Sequence, residues 1–314
     1  MRLIRFLTLL VGVMLIGGCQ ATSSSSEEIT SISIGYQKFG TLNILKAEGA
    51  LEERLEELDI DVEWHEFPAG PQLLEALNGG SIDFGHTGEA PPIFSQAANA
   101  PLIYIGNGPG SPKGEAVIVQ NDSDIQEVTE LKGRKVALNR GSNVHYLLVK
   151  VLEESGLTLD DIEVVYLPPA DARIAFDRGD VDAWVIWDPF YAEAEVNLEA
   201  RVLRDGTDLV ANREFLLAEE NFAKNHDDVI EVILEELRAV EIEAEANIEE
   251  TAAFLAPEVN IEQAILKKVL ERRGFGIKRI TDDVKLDQQE IGDIFFELEL
   301  IPEAIDINDV VLPK

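Results

Sequence analysis

The sequence predicts an α/β protein of two lobes, each a parallel-rich sheet flanked by helices, facing each other across a cleft. Three observations carry this. First, the chain repeats itself. One half runs from "SISIGYQKFGTLNILKAEGALEERLEEL" through "DVEWHEF" and "PAGPQLLEALNGG" to "SIDFGHTGEAPP"; the other runs from "RKVALNRGSNVHYLLVKVLEESG" through "IEVVYLP" and "PADARIAFDRG" to "DVDAWVIWDPF". Their closing stretches match best, Gly80-Ser81-Ile82-Asp83 beside Gly179-Asp180-Val181-Asp182. Second, each half reads strand, helix, strand, helix, strand, which makes βαβ units and hence parallel sheets. Third, turn residues mark the strand ends in "GYQKFGT", "GHTGEAPP", "NRGSN" and "IWDPF". Ligands of open α/β sheets sit beyond the carboxyl ends of the strands, so facing lobes would gather all four loops into one cleft.

In chain order, "MRLIRFLTLLVGVMLIGGCQ" opens with two arginines and an apolar run over residues 6–16. The run is too short to span a bilayer and fits the apolar core of a signal peptide, here residues 1–18. Its ending, Ile16-Gly17-Gly18-Cys19, resembles the bacterial lipobox, which implies cleavage before Cys19 and lipid on that residue. Cys19 is the sole cysteine, so no intrachain disulfide can form. Residues 19–30, with "ATSSSSEE", read as a polar tether. The first lobe is expected over residues 31–118 and 210–314 and the second over 119–209, with the chain crossing near 117–120 and returning near 207–212. After the second half, amphipathic helices are expected at 214–222, 229–246, 261–271 and 287–298, bracing the first lobe.

The 314-residue chain carries 60 acidic against 26 basic side chains, a formal charge of −34. Such a surface repels nucleic acids and anionic headgroups, so no nucleic-acid partner is expected. The acids recur along helices, as in "LEERLEELD", which fits a solvated, soluble surface or one adapted to high salt.

One helix start stands out. In "LNRGSNVHYLLVK", Val144, Leu147, Leu148, Val151 and Leu152 share one helical face, and Ser142 sits at the N-cap position, where its hydroxyl can accept from a first-turn amide. A capping box would put Glu or Gln where His145 stands, and the first turn holds no acid. An unfilled helix N-terminus offers free amides and a partial positive charge to an anion. Helix starts after Thr41, at Pro91-Pro92 and after Ser142 would converge on the cleft. The loop side chains there are mostly donors: Gln37, Lys38, Thr87, Ser142, Asn143, His145 and Trp187. A permanently ionised group that only accepts hydrogen bonds, such as a sulfonate, suits that set. Glu89 and Asp188 would hold loop amides, Lys38 or Arg173, or accept from a second group on the ligand. Trp187 and Phe39 would pack on an apolar tail.

The stretches "GYQKFGTLNILKAEGALEERL", "WHEFPAGPQLLEALNGGSIDFGHTGEAPPIFSQAA", "LKGRKVALNRGSNVHYLLVKVLEESGL", "VYLPPADARIAFDRGDVDAWVIWDPF" and "NREFLLAEENFA" closely resemble the aliphatic-sulfonate-binding proteins of ABC importers. The likeness spans residues 32–222. It implies a type II periplasmic-binding-protein fold that closes on an alkanesulfonate and presents it to a membrane permease with a cytoplasmic ATPase. It implies no cofactor, no metal and no catalytic residue, a monomeric body, and membrane attachment only through the lipid anchor, in the periplasm or on the outer cell surface. By motif, the ligand-facing candidates are Gln37 in "GYQK", Thr87, Gly88 and Glu89 in "TGEAPP", Ser142, Asn143 and His145 in "GSNVH", and Trp187 with Asp188 in "WDP". "GNGPGSPKGEA" departs from the pattern and receives no role.

Two other classes bear on this reading. For an enzyme, no HExxH, CxxC, GxSxG or Walker A pattern is present, and His65, His86, His145 and His226 show no close metal-ligand spacing. A purely structural surface lipoprotein would not need polar loops from both halves. Within binding proteins, taurine, nitrate or bicarbonate are the alternatives to alkanesulfonates.

Overall fold

The computed structural model describes residues 29–312. The expected signal peptide, Cys19 and most of the tether lie outside those residues. The chain runs β1 (Ser31–Tyr36), α1 (Thr41–Glu48), α2 (Ala50–Glu56), β2 (Asp61–Glu66), α3 (Gly70–Asn78), β3 (Phe84–Thr87), α4 (Pro91–Ala97) and β4 (Leu102–Asn107). It continues through β5 (Glu115–Val119), β6 (Lys135–Leu138), α5 (Asn143–Glu154), β7 (Glu163–Tyr166), α6 (Pro169–Asp177), β8 (Ala183–Trp187), α7 (Phe190–Asn197) and β9 (Arg201–Asp205). Then come β10 (Phe215–Glu219), α8 (Glu220–Asn225), α9 (Asp227–Ala246), α10 (Ile248–Val259), α11 (Gln263–Arg272), β11 (Lys278–Arg279) and α12 (Asp282–Glu297).

Two sheets form, ordered β2-β1-β3-β10-β4-β11 and β7-β6-β8-β5-β9. The repeat seen in the sequence is now spatial. β1 pairs in parallel with β2 and β3, and β6 does so with β7 and β8. Each sheet then takes one antiparallel strand from chain that has just crossed over: β10 beside β3, β5 beside β8. The carboxyl ends of β1, β3, β6 and β8 therefore carry the loops the sequence marked.

The apolar periodicity explains the layers. On one face of the first sheet, Ile32, Ile34 and Phe84 pack with Leu42 and Leu45 of α1 and with Ile230, Ile233, Leu237, Leu266 and Leu270 of the C-terminal helices. α3 covers its other face through Leu73, Leu74 and Leu77. In the second lobe, Val144, Leu147, Leu148 and Val151 of α5 meet Val136 and Val185, while Phe176 and Trp184 lie on the opposite face. Fully burying each such side chain is worth about 1.5–3 kcal/mol.

Three expectations are corrected. Residues 214–222 are not one helix: Phe215–Glu219 forms β10, inserted between β3 and β4, and only α8 follows. "FLLA" is buried on both faces, and so short an apolar run shows no period that separates strand from helix. The first crossing is not at 117–120, because β5 already pairs with β8 and β9 there. The chain passes between sheets over residues 108–114, the glycine- and proline-rich stretch that received no role, and returns over 206–214. Nor do residues 210–314 brace the first lobe alone. Ile291 and Phe295 of α12, with Ile301 and Ile307, pack with Ala90 and Ile93 of α4 and with Val144 and Leu148 of α5, tying both lobes together.

Candidate functional site

A cleft between the sheets holds a cavity of about 120 Å³. One wall comes from the first lobe: Gln37 and Phe39 after β1, then His86, Thr87 and Gly88 at the end of β3. The facing wall is Asn143 at the start of α5 with Trp187 and Asp188 at the end of β8. The two crossings supply Gly108, Pro109, Ser111 and Gly114, and Asn212, Arg213 and Glu214. Val269, Arg273 and Gly274, at the end of α11, complete it.

On the first wall, His86 organises the loops. Its Nε2 accepts from the Gln37 backbone N–H at 3.2 Å, which places the ring proton on Nδ1, 3.0 Å from Glu214 Oε1. Gln37 Nε2 donates to the His86 carbonyl at 3.0 Å. Gly40 is needed here because a Cβ on it would lie 2.0 Å from the His86 ring. Burial pushes the Glu214 carboxyl up, but Arg273 and His86 outweigh it and hold it well below the usual carboxylate range. Glu214 Oε2 accepts from Arg273 at 3.1 Å, and Arg273 also reaches Glu241 Oε1 at 3.2 Å and the Thr41 hydroxyl. The Arg273 charge is thus matched by two carboxylates.

Across the cleft, Asn143 Nδ2 donates to Glu115 and to Asn212 Oδ1 at 2.9 Å, and Asn212 donates to the Ser111 carbonyl at 2.9 Å. Asn143 therefore joins α5 to β5 and to the return crossing, and Asn212 ties the two crossings together. Gly88 rests on the Asn143 amide: a Cβ on Gly88 would meet Asn143 Oδ1 at 2.7 Å. Trp187 turns its ring toward Phe190, edge-on at 6.2 Å. Asp188 Oδ1 accepts from the Ala192 N–H at 3.0 Å in the first turn of α7 and lies 3.4 Å from Arg272. Burial raises the Asp188 carboxyl to about 7, against the opposing pull of Arg272.

Of the nine candidates, Gln37, Thr87, Gly88, Asn143, Trp187 and Asp188 come together in the cavity wall. Glu89, Ser142 and His145 do not. Glu89 is buried and accepts from the Arg213 N–H at 3.1 Å, fastening the return crossing. Ser142 does occupy the N-cap position, but its hydroxyl donates to the Asn139 carbonyl at 2.7 Å and caps nothing. His145 is wedged among Phe94, Tyr166 and Phe295, with neither ring nitrogen bonded. Burial, with Arg140 nearby, lowers its pKa to about 4, so the ring is neutral. Lys38 and Arg173 are held by Glu193, at 2.8 and 2.9 Å, not by Glu89 or Asp188.

The three helix starts also differ from expectation. Thr41 N–H already donates to Glu214 at 3.3 Å, so the protein supplies its own carboxylate at α1. Pro91 and Pro92 start α4 but carry no N–H to offer. The first turn of α5 holds neither an acid nor a proline. The sequence reading missed His86, Ser111, Asn212, Arg213, Glu214 and Arg273. "NRE" lay within a stretch that carried the resemblance, whereas nothing local marks Arg273.

This geometry can enclose a small molecule between neutral polar side chains of two lobes, over paired, not bare, charges. A family model described as NMT1/THI5 like matches residues 55–242. A protein of Escherichia coli (strain K12) named "Putative aliphatic sulfonates-binding protein" is 41% identical over 302 residues, 95% of this chain and 93% of the relative. A Bacillus subtilis (strain 168) protein of the same name is 31% identical over 310 residues, 97% of this chain and 93% of the relative. The structure of the alkanesulfonate-binding protein SsuA from Xanthomonas axonopodis pv. citri bound to MOPS superposes with a TM-score of 0.87 at 36% identity, covering 91% of this chain and 99% of that one. With its paired sheets and the cavity between them, the chain belongs to the NMT1/THI5-like family and, within it, to the aliphatic-sulfonate-binding proteins.

Proposed function

We propose that the protein is the extracytoplasmic, substrate-binding component of an ABC importer. It captures an aliphatic sulfonate between its lobes and delivers it to a permease and, through that, a cytoplasmic ATPase. The observation that carries the reading is the cavity wall. Gln37, Thr87 and Asn143 bring polar side chains from both lobes, their donors bonded within the protein and available to a ligand only by exchange, and each cationic side chain there is matched by carboxylate: Arg273 by Glu214 and Glu241, Arg213 by Asp287 at 2.8 Å. A fully ionised oxyanion that only accepts hydrogen bonds suits such a wall, and Trp187 and Phe39 offer apolar surface to a short alkyl chain. The family's named ligands are of this class.

Gln37, Thr87, Gly88, Asn143, Trp187 and Asp188 are the proposed contact residues, the last through its backbone and its hold on α7. Closure follows from the ligand binding the closed state better than the open one. The role is binding without chemistry, and Cys19 anchors a monomeric body through lipid. Among the described residues no helix is long and apolar enough to cross a membrane.

Calorimetric titration of residues 27–314 with ethanesulfonate, taurine, nitrate and sulfate tests the ligand class. Ethanesulfonate is expected to bind more tightly than the rest by at least about tenfold, a difference of about 1.4 kcal/mol. Silence toward ethanesulfonate beside a clear nitrate or taurine signal would replace the ligand.

A further inference from the structure

Bonded to the cavity-lining residues Asn143 and Arg213, two carboxyl side chains that the binding role does not use lie at the hinge. Glu89 follows β3 in the first lobe and is 1% exposed; Glu115 opens β5, the first residue of the second sheet after the crossing, and is 0% exposed. Each has one oxygen satisfied. Glu89 Oε2 accepts from the Arg213 N–H on the return crossing, and Glu115 Oε2 accepts from Asn143 Nδ2. The other oxygen of each, Oε1 in both, is buried with no partner among the described residues. A charged carboxylate with an unsatisfied buried oxygen is strongly disfavoured, and two within electrostatic reach of one another disfavour it further.

The surroundings compensate only in part: besides Arg213, the Asn212 backbone N–H favours the charged form of Glu89. From the return crossing, Arg213 faces Glu89, but its guanidinium is engaged by Asp287 of α12 at 2.8 Å. From α12, Asp287 acts on Glu89 and, with Glu290, on Tyr146 of α5, adding negative charge; Gln288 donates to the Glu89 carbonyl at 2.6 Å and to Tyr104 of β4 at 2.8 Å. From α5, Asn143 gives Glu115 one neutral donor. Burial therefore raises Glu89 to about 7, and burial together with Glu89 raises Glu115 well above the usual range.

We propose that Glu89 and Glu115 form a proton-binding site at the hinge, so that closing the lobes over an anionic ligand takes up a proton. The inference rests on the hinge-closure reading of the same cleft. Between the lobes, Gly88 packs so near Asn143 that a Cβ on it would clash. Opening the cleft parts that contact, admits water and lets the carboxyls ionise; closing it expels water and binds the proton. The sign follows from linkage. A carboxyl whose pKa is higher in the closed state favours closure below that raised value and loses the effect as pH rises through it. Ligand affinity thus increases as pH falls from above 7 toward the ordinary carboxylate range, by up to about tenfold per pH unit for one coupled proton.

The test is a proton inventory. The protein is titrated with ethanesulfonate at pH 7 in phosphate and in Tris, which differ in ionisation enthalpy and contain no sulfonate. The expected result is uptake of about one proton per ligand bound. In Glu115→Gln, whose side-chain carbonyl still accepts from Asn143, uptake falls and the pH dependence of affinity flattens. Glu89→Gln, still able to accept from Arg213, is the second variant, with the same expectation. Binding with no proton uptake, or uptake unchanged in both variants, overturns the proton site and leaves sulfonate binding standing. Affinity that instead depends on Na⁺ at constant ionic strength assigns the compensating charge to a metal ion and also overturns it. Absence of any binding overturns this proposal and the function together.

Discussion

Arg273 shows how little a local motif needs to say about a residue that shapes a site. It lies at the end of α11, far along the chain from every loop that carried the family likeness, yet it touches Glu214, Glu241 and Thr41 and borders the cavity. Its partner Glu214 is held below its ordinary range, so the pair contributes stability at neutral pH. That contribution is present above the unfolded carboxylate value and is lost as pH falls through the depressed folded value. Arg273→Met leaves Glu214 and Glu241 with unmatched buried charge. A loss of about 3–5 kcal/mol at pH 7 is expected from urea melts, with the onset of acid unfolding moved to higher pH. The six motif residues that reach the cavity were legible because they lie on turns at strand ends. Glu89, Ser142 and His145 lie on the same turns and point elsewhere. Motif spacing fixes where a loop is, while side-chain direction depends on packing partners such as Phe94 and Phe295, which come from other elements.

Among the elements, the repeated strand–helix units were readable from periodicity, and the crossings were not. β10 and β5 are short apolar runs buried in the middle of their sheets, and such runs carry no polar face to give a period. The crossing at 108–114 was visible as glycine and proline, but its place between two sheets depends on pairing that only the fold supplies. One contact between elements bears on motion. α11 faces α7 across the cleft: Lys268 lies 2.9 Å from Glu195, Arg272 joins Glu195 and Asp188, and the Arg272 guanidinium lies 4.1 Å over the Tyr191 ring. These partly exposed ion pairs join α11 to α7, and a latch role predicts that they slow opening. Glu195→Gln is expected to speed ligand release by about fivefold, corresponding to about 1 kcal/mol, and to weaken the salt dependence of the release rate in stopped-flow measurements. An unchanged rate would remove the latch.

At the scale of the molecule, two similar sheets, two crossings and one helix that packs on both lobes make a clamp around the cavity between the sheets. The net charge of −34 is no property of the cavity, which sets Arg213 and Arg273 against Asp188 and Glu214. The central claim is that a sulfonate sits between the lobes against Gln37, Thr87, Asn143 and Trp187. Diffraction from crystals grown with 2-bromoethanesulfonate, recorded at the bromine absorption edge, tests it most directly. One anomalous peak is expected inside the cleft beside Trp187, with the sulfonate between the polar side chains of both lobes. A peak elsewhere, or an empty cleft at saturating ligand, would contradict the account.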